Sequence, residues 1–149
     1  MHYSYLFRKC YNSLFICIDF ADSWAGVRFR GAWTQQNWGG TPIKNTDKYN
    51  LAWATNPQYL LDLKKDMDLF ISLGQPDGRL TPGEEYPFPD SIHHVMFSLW
   101  KLNEGEKILS TFDRKRKPIM SPIKEYRELS LRIPNVKKGR YMLVPRYLL

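Results

Sequence analysis

Apolar residues recur at every second position through most of this chain, and a period of two commits a chain to half-buried strands. Val27 and Phe29, with Trp33 beyond, alternate with Arg28 and Arg30; Tyr59, Leu61 and Leu63 with Asp62 and Lys64; Met67, Leu69, Ile71 and Leu73 with Asp68 and Ser72. The alternation returns at Val95, Phe97 and Leu99, weakly across 108–112, at Leu129, Leu131 and Ile133, and at Tyr141 and Leu143. Apolar stripes at helical spacing are missing, residues 3–14 coming nearest. Residues 61–73 read as a hairpin turning at Lys65 and Asp66, and 97–112 as another turning at 103–106. Parallel strands would need crossovers of a dozen or more residues, usually helical, and none is visible. The pattern therefore predicts an all-β protein, an antiparallel β-sandwich of about eight strands. Two long connections, 34–56 and 75–91, are candidate binding loops.

Composition narrows the class. With 149 residues, 43 % of them apolar and 15 % aromatic, the chain holds enough core formers for one domain. No run approaches the ~20 apolar residues of a membrane span, and the N-terminus does not read as a secretory leader. Cys10 and Cys17 lie about 23 Å apart on a strand or about 10 Å apart on a helix, beyond the roughly 7 Å Cα limit of a disulfide. Two free thiols suit a reducing compartment, so a cytoplasmic location is expected.

Catalytic patterns are missing. Neither cysteine has the setting of an activated thiolate, and no GxSxG, P-loop, GxGxxG or HExxH occurs. His93 and His94 are adjacent, so on a strand they face opposite sides and do not share a metal. With no CxxC there is no structural zinc pattern. Charge is more informative. Between residues 113 and 140 ten Lys or Arg stand against Asp113, Glu125 and Glu128, so this segment carries the whole formal excess of +7. Arg114, Lys115, Arg116 and Lys117, meeting Lys137, Lys138 and Arg140 at one end of the sandwich, would form a patch for an anionic membrane surface. The bland alternative is solubilising surface. No RNP-like aromatic strand accompanies the charge, so nucleic acid is not expected. Asp66 and Asp68 are the candidate ligands if calcium binds, although turn-forming acids explain them equally well. Trp38 and Trp53, if exposed, would suit a free-standing carbohydrate- or peptide-binding sandwich; burial is the alternative.

Several motifs carry a resemblance. Gly31-Ala32-Trp33, the Gly39-Gly40 pair and Asn56-Pro57-Gln58-Tyr59 opening an alternating strand look like the start of the calpain C2-like β-sandwich, or domain III. Tyr126-Arg127-Glu128 with Leu129 and Leu131, then Ile133-Pro134, Gly139-Arg140-Tyr141 and Val144-Pro145, resemble its closing strands. The resemblance covers residues 24–149 and makes 1–23, with Ile16-Cys17, the exit from a preceding protease core. It implies a non-catalytic regulatory domain of an intracellular, calcium-dependent cysteine endopeptidase. The catalytic Cys, His and Asn belong to the core and are not in this sequence. It also implies packing on that core and an acidic loop responsive to calcium or phospholipid. The matching turn, Lys64-Lys65-Asp66-Met67-Asp68, has two acids beside two lysines. The family usually continues past Val-Pro into a further long strand, so a fragment with an unpaired sheet edge is expected. Gly39 and Gly40 permit positive φ and Pro57 biases Asn56 towards extended geometry. The loop is thus expected to fold over one end of the sandwich, with Trp33 and Trp53 closing that end together.

Overall fold

The computed structural model describes residues 10–20, 23–33, 36–37, 39–40, 46–75, 94–125 and 127–148. Eight strands and one helix follow in order: β1 (Cys10–Phe20), β2 (Ser23–Trp33), α1 (Asp47–Trp53), β3 (Tyr59–Leu63), β4 (Met67–Gly74), β5 (His94–Lys101), β6 (Ile119–Met120), β7 (Glu128–Val136) and β8 (Gly139–Leu148). They form two four-stranded sheets, β2-β1-β4-β7 and β3-β8-β5-β6, and every pairing between them is antiparallel. This is the expected all-β sandwich. β1 pairs with both β2 and β4, so residues assigned to the protease exit contribute an interior strand of the first sheet.

Alternation explains the inner core. Leu69, Ile71 and Leu73 of β4 and Leu129 and Ile133 of β7 meet Leu61 and Leu63 of β3, Val95, Phe97 and Leu99 of β5, and Tyr141 and Leu143 of β8. In β5 and β8, however, the intervening residues are buried too. Met142, Val144 and Trp100 face away from the first sheet, into a second cluster with Trp53, Leu102 and Leu109. The covering layer is α1 together with the strap 102–118 that leaves β5. Its centre is aromatic: Trp53 lies 5.1 Å from both Trp100 and Phe112, and Trp100 lies 5.4 Å from Phe112.

Hydrogen bonds from two amide side chains hold this layer down. Asn56 Nδ2 donates to Trp53 O at 2.8 Å and to Gly40 O at 3.0 Å, tying the end of α1 to the Gly-Gly loop. Gln58 Nε2 donates to Ala54 O at 2.9 Å and Leu109 O at 2.8 Å, while its Oε1 accepts the Leu109 N–H at 2.9 Å. Gln58 thus pairs with Leu109 as a strand neighbour would, and pins the middle of the strap. The Phe112 N–H adds a bond to Asn50 O at 3.0 Å.

Four expectations are corrected. Residues 61–73 are not a hairpin: β3 pairs with β8 in one sheet and β4 with β1 and β7 in the other, so their connection arches between sheets. Period two fixes which face is buried and not which strand is adjacent, and the inward faces of an arch alternate like those of a hairpin. Residues 97–112 are not a hairpin either. β5 pairs with β6 and β8, and 108–112 is strap, with Leu109 and Phe112 packed onto the outer cluster. The 34–56 connection contains α1, whose seven residues bury only Trp53 and so show no stripe. Trp33 and Trp53 do not close one end together, because Trp33 belongs to the inner core and Trp53 to the outer one. The nearly helical stretch 3–14 enters β1 at Cys10; residues 3–9, Trp38 and most of 75–91 lie outside the described residues.

At Gly39 a Cβ would stand 2.1 Å from Ala52 O and 2.8 Å from Trp53 O, both backbone atoms at the end of α1. At Gly105, on the strap, a Cβ meets nothing within 4 Å, although φ is +76°. Gly39→Ala is therefore expected to cost more than about 3 kcal/mol through a backbone clash, against about 1 kcal/mol for Gly105→Ala through conformation alone. Urea unfolding with a common m-value checks the ranking. Equal losses would contradict it.

Candidate functional site

The β7–β8 connection also arches from one sheet to the other, and it lies at the same end of the sandwich as the β3–β4 arch, because Leu63 pairs with Gly139 while Met67 pairs with Val136. Asp66 and Asp68 join them. Asp66 Oδ2 is 2.7 Å from Lys137 Nζ, and its Oδ1 accepts the Lys138 N–H at 2.8 Å. Asp68 Oδ2 accepts from Arg132 Nη2 at 2.7 Å, and its Oδ1 accepts the Asn135 N–H at 2.9 Å. Asn135 has φ 54°, the left-handed conformation that asparagine tolerates, and this turn brings its N–H to the carboxylate. Each of the four carboxylate oxygens thus has a donor. The Lys137 hydrogen bond, then that from the Lys138 N–H, holds Asp66 below its ordinary 3.8; the Asn135 N–H, then Arg132, does the same for Asp68. Lys137 is raised in return by its bond to Asp66. Among the described residues no group of three His, Cys, Asp or Glu gathers as metal ligands.

The strap brings the second cationic run to the same end. Arg116 Nη1 is 2.9 Å from Glu106 Oε1, its Nη2 donates to the Lys101 carbonyl, and its guanidinium lies 5.7 Å from the Trp100 ring centroid. Glu106 Oε2 accepts the Asn103 N–H at 2.9 Å. Burial alone would raise Glu106, but the bonds from Arg116 and the Asn103 N–H leave it below 4.5. Lys101 ends β5, and the next residue, Leu102, donates its N–H to Arg140 O at 2.9 Å. Arg116 and Arg140 therefore both bond to the backbone at 101–102, so the two runs meet at one end of the second sheet.

Their side chains differ in availability. Arg116 and Lys137 are committed to carboxylates, and Arg114 lies 5.6 Å from the Phe112 centroid. Lys115, Lys117 and Lys138 are exposed, and Arg140 is half-buried. The motif residues are structural. Gly31 and Trp33 end β2, Trp33 being buried; Gly39, Gly40 and Asn56 fasten α1. Pro57 precedes β3, Tyr59 packs on Phe29 with ring centroids 5.0 Å apart, and Pro145 pairs with Phe97. Trp53 is fully buried and offers no face to a sugar. Sequence reasoning missed Glu106, the counter-charge that fixes Arg116, and Gln58 as a clamp; a lone acid in a polar turn carries no signal of a partner ten residues away.

A sequence model described as "Calpain large subunit, domain III" matches residues 29–148. The chain belongs to this family. Searches of curated proteins and of solved structures give no match. Domain III is a non-catalytic domain of calpain. The match begins within β2 and runs to the end of β8, so it takes in both arches, α1 and the strap.

The carboxylates of this calpain domain make the clasp sensitive to acid. A carboxyl held below its unfolded value contributes stability above that value and loses it as pH falls through the folded one. The stability difference between the wild type and Asp66→Asn/Asp68→Asn is expected to be greatest above about pH 5 and to close as pH drops below 3.8. Thermal unfolding across that range measures it. A gap that stays constant to about pH 2 would contradict the role given to the ionised pairs.

Proposed function

We propose that this domain is a regulatory contact module of a calpain-type cytoplasmic, calcium-dependent cysteine endopeptidase, packing on the protease core and engaging anionic phospholipid through its cationic end. One observation carries the reading. Arg116 and Lys137 are consumed internally, and by that they brace the strap and the β7–β8 arch on which Lys115, Lys117 and Lys138 stand exposed. Lysines are compact point charges without the planar fork of arginine, so this surface suits charge density rather than a particular headgroup. Arg114, exposed, and Arg140, half-buried, add to the field. Calcium, if it acts on this domain through Asp66 and Asp68, has to displace Lys137 and Arg132 from their carboxylates.

Each lysine near an anionic leaflet is worth about 1 kcal/mol, so Lys115→Gln/Lys117→Gln/Lys138→Gln should weaken binding to phosphatidylserine vesicles by roughly a hundredfold at low salt. Sedimentation at rising salt should bring the wild type towards the variant. Binding that is unchanged by the substitutions would sink the proposal.

A further inference from the structure

Arg146 is a buried charge on the outer face of the second sheet. It follows Met142 and Val144 at every second position of β8, opposite Met96 of β5, and is only 1 % exposed. Its guanidinium lies 5.9 Å from the Phe112 ring centroid. Nε and Nη2 are buried and make no hydrogen bond. Those two nitrogens form the side-on edge of a guanidinium, the pair whose parallel N–H bonds grip both oxygens of a carboxylate or phosphate. A buried charge with its donors unpaired is strongly unfavourable. Burial lowers the pKa of Arg146 to about 10, which leaves it a cation at neutral pH.

We infer that Arg146 is a receptor for one oxyanion group, a carboxylate or a phosphate, bound side-on through Nε and Nη2 beneath the strap. Phe112 faces the guanidinium, while Met96 and Val144 give the site apolar surroundings in which a charge-assisted pair is stronger than in water. The site shares the Phe112 ring with Arg114, 5.6 Å from its centroid, but uses no lysine: Arg146 lies opposite Met96 near the start of β5, whereas Lys101 ends that strand. It therefore does not depend on lysine-mediated lipid contact.

The test is thermal unfolding of the 149-residue chain in sodium phosphate and in sodium acetate, each against sodium chloride at equal ionic strength, for the wild type and for Arg146→Met. A ligand that binds the native state alone raises the midpoint saturably. The expected result is a rise of a few degrees in the wild type that Arg146→Met abolishes. A response to acetate as well as phosphate assigns a carboxylate source; a response to phosphate alone assigns a phosphoryl one. If Arg146→Met does not fold, the Arg146 Nε–H resonance of the wild-type chain, followed by NMR through the same titrations, gives the answer without a variant. No midpoint shift and no resonance shift with either anion, or equal midpoint shifts in both proteins, would overturn the inference.

Discussion

Gln58 supplies the link on which the outer half of the molecule depends. A sheet in a two-layer sandwich ordinarily buries one face, yet β5 and β8 are apolar on both, and the second face needs a cover. The strap provides it without secondary structure of its own, so its backbone groups must find partners elsewhere. Gln58 satisfies the N–H and the carbonyl of Leu109 together and holds the carbonyl of Ala54 besides. Three bonds of about 0.5–1.5 kcal/mol each do not hold a strap alone, but they fix its middle where Leu109 and Phe112 can pack. The aromatic contacts among Trp53, Trp100 and Phe112 then add about 0.5–1.5 kcal/mol apiece beyond the area they bury.

At the cationic end, opposite charges set geometry more than they add stability. The Lys137–Asp66 pair is solvent-exposed and an exposed Arg132 lies over a partly buried Asp68, and isolated surface pairs of that kind contribute little. Each carboxylate also takes a backbone N–H from the β7–β8 side, and that second bond ties one arch to the other. Glu106 and Arg116 work in the same manner inside the strap, with a more sheltered pair. The local acids thus hold three cations, Arg116, Arg132 and Lys137, and leave other lysines to face solvent, so the cationic surface rests on a base of ion pairs.

How much of this was legible depended on range. Met67 to Leu73 and Leu129 to Ile133 announced their strands because one side of each meets solvent or polar neighbours. In β5 the alternation of Val95, Phe97 and Leu99 is legible in the sequence, whereas Met96 and Trp100 on the opposite face, the sign of a second buried surface, are not. Asn56 and Pro57 drew notice as motif residues, but their reason is spatial: Asn56 reaches Gly40, sixteen residues back. The arches were misread because pairing partners are a tertiary property that short connections do not encode. Lys137 was singled out for its charge, and its commitment to Asp66, seventy-one residues away, could not be seen from either position.

β6 has a consequence for assembly. Its two residues pair with Ser98 and Leu99 and stand at the margin of the second sheet, with Pro118 immediately before and Pro122 close behind. A proline has no amide hydrogen to offer an incoming strand. Lengthwise stacking of sandwiches through this border is thereby denied a continuous ladder, and the short strand works as a hem that keeps the fabric from being extended.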